Sequence, residues 1–339
     1  MSAKTPVAVG LIGAGRIGQL HAQHLSHRVR GVSLVAVADV RREAATALAQ
    51  RFNVATVYED PTRVFLNPDV DAVVICSSTD THAAFIEQAA VAGKHIFCEK
   101  PIDFDLNNID RALDAVQRAG VKLQIGFNRR FDPSFARVFQ AVAEGEIGTP
   151  QLLRITSRDP APPPLDYIKV SGGLFLDMMI HDFDMARYVM GYEVSEVFAL
   201  GAVLVDPRIG EVGDVDTAVV TLKFENGAIG TIDNSRQALY GYDQRVEVLG
   251  SKGMVSVENP LPHQARLARK NGFFAPPLQH FFVERYSDSY VYEMEAFVAC
   301  VQQDTMPAVT GEDGRAPVVM GRAAQKSLRE GRPVLLTQV

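Results

Sequence analysis

The chain has 339 residues, of which 47% are hydrophobic and 22% are charged, a composition typical of a soluble globular protein. Its 34 basic and 40 acidic side chains give a net charge of −6, which argues against a general attraction for nucleic acid or an anionic membrane. The length predicts two domains rather than one core.

The cysteines and the N-terminal residues give information on the cellular compartment of the protein. Cys76, Cys98 and Cys300 are odd in number and lack C-x-x-C spacing, so they indicate neither a disulfide framework nor a zinc site. No cleavable apolar segment precedes the strand-like run at Val7, and no run approaches the ~18 apolar residues of a membrane span. We expect a cytoplasmic protein without a membrane segment.

The first 126 residues alternate short apolar runs with segments that have helical spacing of apolar residues. This alternation is typical of a parallel sheet covered by helices on both faces, so we predict a Rossmann-type α/β domain over 1–126. A further short helix is expected after Asp60-Pro61. The predicted strands are 7–12, 32–39, 72–76, 95–98 and 122–126, and the predicted helices are 17–27, 42–52, 81–92 and 106–119.

The pattern changes after Phe131. We predict that 127–339 form an α+β domain with a large, mainly antiparallel open sheet, whose last residues could pack back on the first domain. Glu225-Asn226-Gly227 predicts a hairpin with a type I′ turn, because Asn-Gly accepts positive φ angles. The predicted helices are 133–144, 174–190, 288–303 and 312–330, and the predicted strands are 151–157, 196–205, 217–224, 228–234, 245–249 and 254–257.

A glycine-rich segment joins the first predicted strand to the first predicted helix, with the G-x-G-x-x-G spacing of Gly13, Gly15 and Gly18. In this context the first glycine permits a tight turn, the second lets the backbone approach a pyrophosphate, and the third lets helix and strand pack closely. The alternative, a glycine turn without a ligand, is weaker because strand and helix flank the segment. The segment therefore predicts a dinucleotide site.

An acidic residue, Asp39, ends the second predicted strand. A carboxylate at this point can accept hydrogen bonds from the ribose hydroxyls of NAD and repels the 2′-phosphate of NADP. We therefore predict NAD as the cofactor. Arg41 and Arg42 keep NADP as the less favoured alternative, since an arginine just past the acid can bind a 2′-phosphate.

Glu99-Lys100-Pro101 directly follows the predicted strand 95–98. Ligands of open parallel sheets bind beyond the carboxyl ends of the strands. The ammonium group of Lys100 could there bond a substrate oxygen and stabilise the charge that develops on it. A solvated lysine at a strand end is the alternative.

The predicted helix 174–190 places Asp177 and His181 one turn apart on the same side. A carboxylate beside an imidazole raises the imidazole pKa and orients the ring, as a general base for a hydroxyl proton requires. The alternatives are an ordinary surface contact, or a metal held by this pair with Asp182 and Asp184. Asp182 points about 100° away from the shared face, so we expect no metal.

With these motifs the chain resembles, over nearly its whole length, the glucose–fructose oxidoreductase/inositol dehydrogenase (Gfo/Idh/MocA) family. Residues 13–18 are similar to its cofactor loop and Glu99-Lys100-Pro101 to its hallmark tripeptide. Gly172-Gly173 through His181 resembles its G-G-x-x-x-D-x-x-x-H helix. The segment 77–82 resembles its T-P-x-x-x-H segment, with two serines in place of Thr and Pro.

The resemblance implies a Rossmann domain followed by an open-sheet domain, commonly assembled into homotetramers through the sheets. It implies that Lys100, Asp177 and His181 are catalytic. The residues expected at the cofactor are Gly13, Gly15, Arg16, Ile17, Gly18, Asp39, Ser77, Ser78, His82 and Glu99.

Within the family, the stretches 128–131, 156–160, 178–182 and 240–243 are most similar to inositol dehydrogenases. The resemblance therefore implies a small neutral polyol substrate, first of all myo-inositol, oxidised to 2-keto-myo-inositol with NAD. The implied substrate-binding residues are Lys100, Arg130, Asp159, Asp177, His181 and Tyr240.

Three alternative functions remain compatible with the sequence. An aldose or scyllo-inositol dehydrogenase is the nearest alternative within the family. An NAD-retaining glycoside hydrolase would cleave aryl glycosides without net formation of NADH. A non-enzymatic regulator of a sugar pathway could use the same fold, but it would not need Lys100, Asp177 and His181 together.

Overall fold

The computed structural model describes residues 6–339, and contacts between residues divide the chain into two compact units. The first comprises the residues up to Asn128 together with Asp288–Ala316. The second comprises Arg129–Ser287 and Pro317–Val339. The sequence predicted a division after residue 126, and residues 288–316, which it placed in the second domain, group with the first unit.

The first unit contains a six-stranded parallel sheet in the order β3-β2-β1-β4-β5-β6. The order reverses between β1 and β4, which is the switch point where doubly wound folds bind nucleotides. The strands are β1 Val7–Ile12, β2 Val32–Ala38, β3 Thr56–Tyr58, β4 Ala72–Ile75, β5 His95–Glu99 and β6 Leu123–Gly126. The helices between them are α1 Arg16–His27, α2 Arg42–Phe52, α3 Thr62–Phe65, α4 Thr79–Val91 and α5 Leu106–Ala119.

The central strands β1 and β4 consist of apolar residues and glycine because both faces of the sheet are covered there, and every residue of β4 is buried. The predicted Rossmann fold is confirmed. A late helix, Ser287–Gln303, adds Met294 and Phe297 to the core cluster that holds Leu11 and Phe97. This packing explains why residues from Asp288 onward belong to the first unit.

The second unit is built on a seven-stranded sheet in the order β12-β11-β7-β10-β9-β8-β15, in which β7 and β10 are parallel and the other pairs antiparallel. Its mainly antiparallel character is as predicted. Strands β7 to β12 and β15 are Pro150–Arg158, Val194–Ala202, Thr217–Phe224, Ile229–Ser235, Asp243–Gly250, Gly253–Val257 and Val334–Leu335, and a small separate hairpin has β13 Leu267–Arg269 and β14 Gly272–Phe274. Helices α6 to α11 are Pro133–Ala143, Leu165–Ile168, Gly173–Asp177, Ile180–Met190, Pro207–Glu211 and Phe282–Arg285, and short 3-10 helices cover Asn128–Phe131 and Leu336–Gln338. Helix α12, Ser287–Gln303, is the late helix of the first unit, and the boundary between the units falls within α13, Gly311–Glu330.

One face of the large sheet is covered and the other is open. Along β9 buried and exposed residues alternate, and Asn234 on β10 points to α9 on the covered face. Leu200, Val219 and Ile229 are 47–60% exposed on the other face. No helix formed by residues 6–339 is long and apolar enough to cross a membrane.

The predicted type I′ turn between β9 and β10 is wrong. Gly227 has a φ of 86°, whereas Asn226 is not among the non-glycine residues with positive φ. The Gly227 amide donates to Phe224 O at 3.0 Å, and the Phe224 amide donates to Ala228 O at 2.9 Å. The chain therefore makes a type I turn followed by a left-handed glycine, the usual three-residue hairpin.

The glycine loop gives a stability prediction. A Cβ added at Gly18 would lie 1.9 Å from Gly13 O, whereas one added at Gly15 would meet no heavy atom within 4 Å. We expect Gly18→Ala to lower the free energy of unfolding by about 1–3 kcal/mol or more, because α1 must move away from β1. Gly15→Ala is the matched control and should unfold like the wild type without cofactor. Urea unfolding of both variants measures this, and equal losses would contradict the close packing at Gly18.

Candidate active site

The glycine loop leaves a bare backbone where β1 meets α1. Gly13 has a φ of 98° and would place a Cβ 2.5 Å from Cys76 O, so this turn accepts only glycine. Gly15 precedes α1 and borders open space. Arg16 and Ile17 form the first turn of α1, whose amides receive no side-chain cap at Gly15. A helix N-terminus with uncapped amides and an open cradle fits the pyrophosphate of a dinucleotide.

Asp39 stands beside this loop and is buried, with 8% of its surface exposed. Its carboxylate accepts the amide of Ala14 at 2.7 Å and the amide of Arg41 at 2.8 Å. The side chain of Arg41 is 71% exposed, and its Nε lies 3.7 Å from the carboxylate. The carboxylate therefore joins the glycine loop to the end of β2, where the sequence predicted the ribose site.

The segment after β4 carries the predicted residues Ser77, Ser78 and His82. Ser78 precedes α4, and the Ser77 hydroxyl lies 2.7 Å from the Thr81 hydroxyl. His82 is buried, and its Nδ1 and Nε2 lie 2.8 Å from Pro101 O and 3.0 Å from Ser77 O. Burial lowers the pKa of His82. The imidazole thus connects two loops at the carboxyl edge of the parallel sheet.

Glu99 ends β5, and Lys100 follows it half-buried. Glu99 Oε1 lies 2.6 Å from Nε2 of His21 on α1. The predicted cofactor residues of the first unit therefore lie at the carboxyl ends of β1, β2, β4 and β5, as the rule for open parallel sheets requires.

In the second unit, two glycines set the start of the helix that carries Asp177. Gly172 and Gly173 have φ angles of 85° and 77°. The Leu174 amide donates to both carboxylate oxygens of Asp214, at 3.0 and 3.1 Å. A Cβ at Gly173 would lie 2.7 Å from Asp214 Oδ1, so the Gly-Gly pair lets the carboxylate cap α8.

The single helix predicted over 174–190 is wrong: α8 ends at Asp177 and α9 begins at Ile180. The amide of Met179 donates to Leu174 O, five residues back, and the Asp182 amide donates to Met179 O, three residues back. The hydrogen-bond register therefore shifts between Asp177 and His181, as at the bulges found near functional sites. The pairing of Asp177 with His181, which assumed one continuous helix, stays a prediction.

Asp177 accepts hydrogen bonds from two side chains that the sequence analysis did not single out. Tyr167 OH donates to its Oδ1 at 2.8 Å, and Nη1 of Arg236 lies 3.3 Å from its Oδ2. Arg236 is buried to 1% exposure, and its Nη2 lies 3.7 Å from Asp214. The buried guanidinium of Arg236 thus links Asp214, which caps the start of α8, to Asp177 at the end of α8.

Asp182 is fully buried in the first turn of α9. Its oxygens accept from Nη1 of Arg129 at 2.6 Å and from Nδ2 of Asn234 at 2.9 Å. Arg129 Nη2 also donates to Tyr242 OH at 3.4 Å. Burial raises the pKa of Asp182 and the Arg129 guanidinium opposes that rise. The carboxylate of Asp182, one of the ligands in the alternative of a metal site, is therefore bonded to an arginine and an amide.

Asp159 follows β7, and its pKa differs strongly from the usual value of an aspartate. Burial raises its pKa to about 7, with Arg236 lowering it and Asp177 raising it. A carboxyl group with this pKa can accept or donate a hydrogen bond near neutrality. It is therefore the predicted substrate residue whose protonation state can adapt to a hydroxyl.

Two other predicted substrate residues have different surroundings. Arg130 makes a two-pronged ion pair with the buried Asp184 at 2.6–3.1 Å, and its guanidinium lies 5.1 Å from the ring centre of Tyr188. Tyr240 OH donates to Asp243 and accepts from Arg158, beside a groove of about 430 Å³ on the open face of the sheet.

The sequence analysis missed Arg129, Tyr167, Asp214, Arg236 and Tyr242. Arg236 directly follows the carboxyl end of β10, which runs parallel to β7, but the antiparallel sheet predicted for this region gave no reason to choose it. Arg129 and Tyr242 each stand close in sequence to a residue that was chosen, and sequence alone does not show which neighbour points to the covered face.

Comparison with known proteins agrees with this geometry. Residues 7–127 match the oxidoreductase family with an NAD-binding Rossmann fold, and residues 135–256 match the GFO/IDH/MocA C-terminal domain. The chain is 51% identical to a myo-inositol 2-dehydrogenase of Thermotoga maritima, over 98% of this chain and 99% of that protein. It is 47% identical to an inositol 2-dehydrogenase of Rhizobium meliloti strain 1021, over 97% and 98%.

Among solved structures, the fold is similar to that of a scyllo-inositol dehydrogenase from Lactobacillus casei with bound cofactor NAD(H) and scyllo-inositol. The TM-score is 0.93 and the identity 30%, covering 98% of this chain and 100% of that one. The predicted family and the predicted NAD-binding Rossmann domain are confirmed, and the chain belongs to the GFO/IDH/MocA family of oxidoreductases.

Proposed function

We propose that this oxidoreductase uses NAD⁺ to oxidise one ring hydroxyl of myo-inositol, giving 2-keto-myo-inositol. The observation that carries the proposal is the group of acids and arginines around Asp159 and Asp177 in the second unit, which offers donors and acceptors to a ligand with many hydroxyls. The similarity to the myo-inositol 2-dehydrogenase of Thermotoga maritima over nearly the full length supports the same substrate.

In the proposed reaction, NAD⁺ held at the glycine loop and Asp39 would supply the acceptor for the hydride of the carbinol carbon. His181 takes the hydroxyl proton as general base, and Asp177 orients and tunes His181. Tyr167 and Arg236 hold the Asp177 carboxylate in place. Lys100 donates a hydrogen bond to the reacting oxygen and limits the charge that builds up on it.

The arginines of the second unit favour a neutral substrate. Arg129 is paired with Asp182, Arg130 with Asp184, and Arg236 with Asp177 and Asp214. A phosphate or carboxylate ligand needs cations that are not already neutralised by buried acids. Asp159, with a pKa of about 7, suits a hydroxyl because it can act as donor or acceptor.

We also propose a homotetramer joined through the open faces of the large sheets. Exposed apolar residues stand in register on neighbouring strands of that face, with Leu200 opposite Val219 and Leu249 opposite Met254. A second copy covering them would remove this apolar surface from water. The three cysteines are free thiols, which supports our proposal of a reducing, cytoplasmic location.

A panel of polyols tests the proposed substrate. With NAD⁺ we expect turnover of myo-inositol, weaker turnover of pyranoses with similar neighbouring hydroxyls, and little with phosphorylated sugars. Absorbance of NADH at steady state measures each rate, and scyllo-inositol, D-glucose and an aryl glycoside complete the panel. A purified protein that binds NAD⁺ and ignores myo-inositol, but oxidises D-glucose or scyllo-inositol well, would overturn the substrate. Cleavage of the aryl glycoside without net NADH would indicate a hydrolase.

Two substitutions test the proposed chemistry. Lys100→Met and His181→Ala should each lower kcat by roughly 10²-fold or more, the scale of losing a positioned oxyanion donor or general base. The affinity for NAD⁺, measured by calorimetry, should stay near the wild-type value. Arg41→Met, on an exposed side chain outside the proposed chemistry, is the control and should keep kcat. Near-normal turnover in Lys100→Met or in His181→Ala would show that the substituted residue has no role in the mechanism.

A further inference from the structure

Two buried histidines of the first unit bond to the residues on either side of Lys100. His21 lies on α1 and is fully buried, with Nε2 2.6 Å from Oε1 of Glu99. His82 lies on α4 and is 2% exposed, with Nδ1 2.8 Å from Pro101 O. Lys100 thus stands between two neighbours that are each bonded to a histidine from a different helix.

The first of these contacts has little freedom to move. The ring of His21 packs edge-on against Phe97 and Tyr290, with centroid distances of 5.3 and 5.8 Å. The Glu99 side chain is 13% exposed, and a Cβ added at Gly126 would lie 2.9 Å from its Oε2. Strand β6 therefore confines the carboxylate on one side while the imidazole holds it on the other.

A second carboxyl group, Glu293 on α12, lies behind the same imidazole. It is fully buried, and its Oε1 lies 4.0 Å from His21 Nε2. Burial raises the pKa of Glu293 well above its usual range, and the charge of Glu99 raises it further. The distances favour Glu99 as the partner of His21, since its Oε1 lies 2.6 Å from Nε2 of His21 and that of Glu293 lies 4.0 Å away.

One ligand atom each of His21, Glu99 and Glu293 lies within 4.8 Å of the others, but their distances differ from those expected around a bound metal ion. Two ligands of one zinc ion stand about 3.3 Å apart. The 2.6 Å between Nε2 of His21 and Oε1 of Glu99 is instead the length of a short, direct hydrogen bond.

The second contact joins two loops. The His82 ring lies between Pro101 O and, at 3.0 Å from its Nε2, Ser77 O. Ser77 follows β4 and Pro101 follows β5, so one ring spans the carboxyl ends of two neighbouring strands. A side chain placed there limits how far the chain around Lys100 can shift.

We propose that His21 and His82 are positioning residues that hold the segment Glu99-Lys100-Pro101 from both ends and so fix the place of the Lys100 ammonium group. The inference rests on the proposed role of Lys100 in catalysis. Its physical basis is that a catalytic group displaced by about 1 Å can cost up to roughly 10²-fold in rate.

A double-mutant cycle tests the inference. His21→Leu and His82→Leu should each lower kcat, measured at saturating NAD⁺, by roughly 10-fold or more. In the Lys100→Met background, neither substitution should lower the remaining kcat further, because both act through Lys100. His24→Leu is the matched control, since His24 is also buried on α1 and should keep the wild-type kcat.

Two conservative substitutions at His21 keep the test valid if the leucine variants fail to fold. His21→Gln places an amide N–H near the position of Nε2 and should recover most of kcat, whereas His21→Asn carries the same amide one carbon short and should not. Circular dichroism melts confirm that each variant is folded at the assay temperature.

The outcomes separate the two proposals. Full turnover in Lys100→Met would overturn the catalytic role of Lys100 itself. A slow Lys100→Met variant together with normal His21→Leu and His82→Leu variants would overturn only the positioning role. Rate losses that add fully in the Lys100→Met background, or equal rates in His21→Gln and His21→Asn, would also overturn it.

Discussion

Buried charge must be neutralised, and the second unit is organised around this constraint. An unpaired ion in a protein interior costs several kcal/mol, so each buried carboxylate needs a partner before the fold can close over it. Asp182 and Asp184 lie on α9, and each takes one of the neighbouring guanidinium groups of Arg129 and Arg130. These two pairs fix α9 to the 3-10 helix at Asn128–Phe131 and set the position from which His181 projects.

The same constraint shapes the site itself. Arg236 cannot serve Asp177 and Asp214 unless the two carboxylates approach each other, which they do because Gly172 and Gly173 turn the chain onto Asp214. Arg129, Arg130 and Arg236 are thus already paired with acids and are not left as unpaired cations for an anionic ligand. A polyol, which offers hydroxyls and no charge, is the ligand class that such a surface can bind without leaving an ion unpaired.

The first unit was predictable from sequence because one signal repeats. Each strand that is buried on both faces is a continuous apolar run, and β4, for example, is entirely buried. The strand-end rule then placed Lys100 at the edge of the sheet where ligands bind. The three-residue strand β3 was missed, since so short a segment shows no periodicity.

The second unit was less predictable because its site depends on long-range contacts. The start of α8 is capped by Asp214, about 40 residues further along the chain, and the hydrogen-bond register shifts between Asp177 and His181. Tyr240 and Tyr242 flank Gly241, whose φ of 124° is open to few other residues, so strand alternation could not tell which tyrosine meets Arg129. Arg129 and Arg130 pose the same difficulty, and only packing separates their roles.

Hydride transfer from one defined carbon of an inositol ring is the central claim of this account. Its most direct test is the reaction of myo-inositol deuterated at carbon 2 with NAD⁺ and the purified wild-type enzyme, followed by mass spectrometry of the NADH formed. We expect one deuterium in each NADH and a slower reaction than with unlabelled substrate. NADH that carries no deuterium, or no NADH at all, would contradict it.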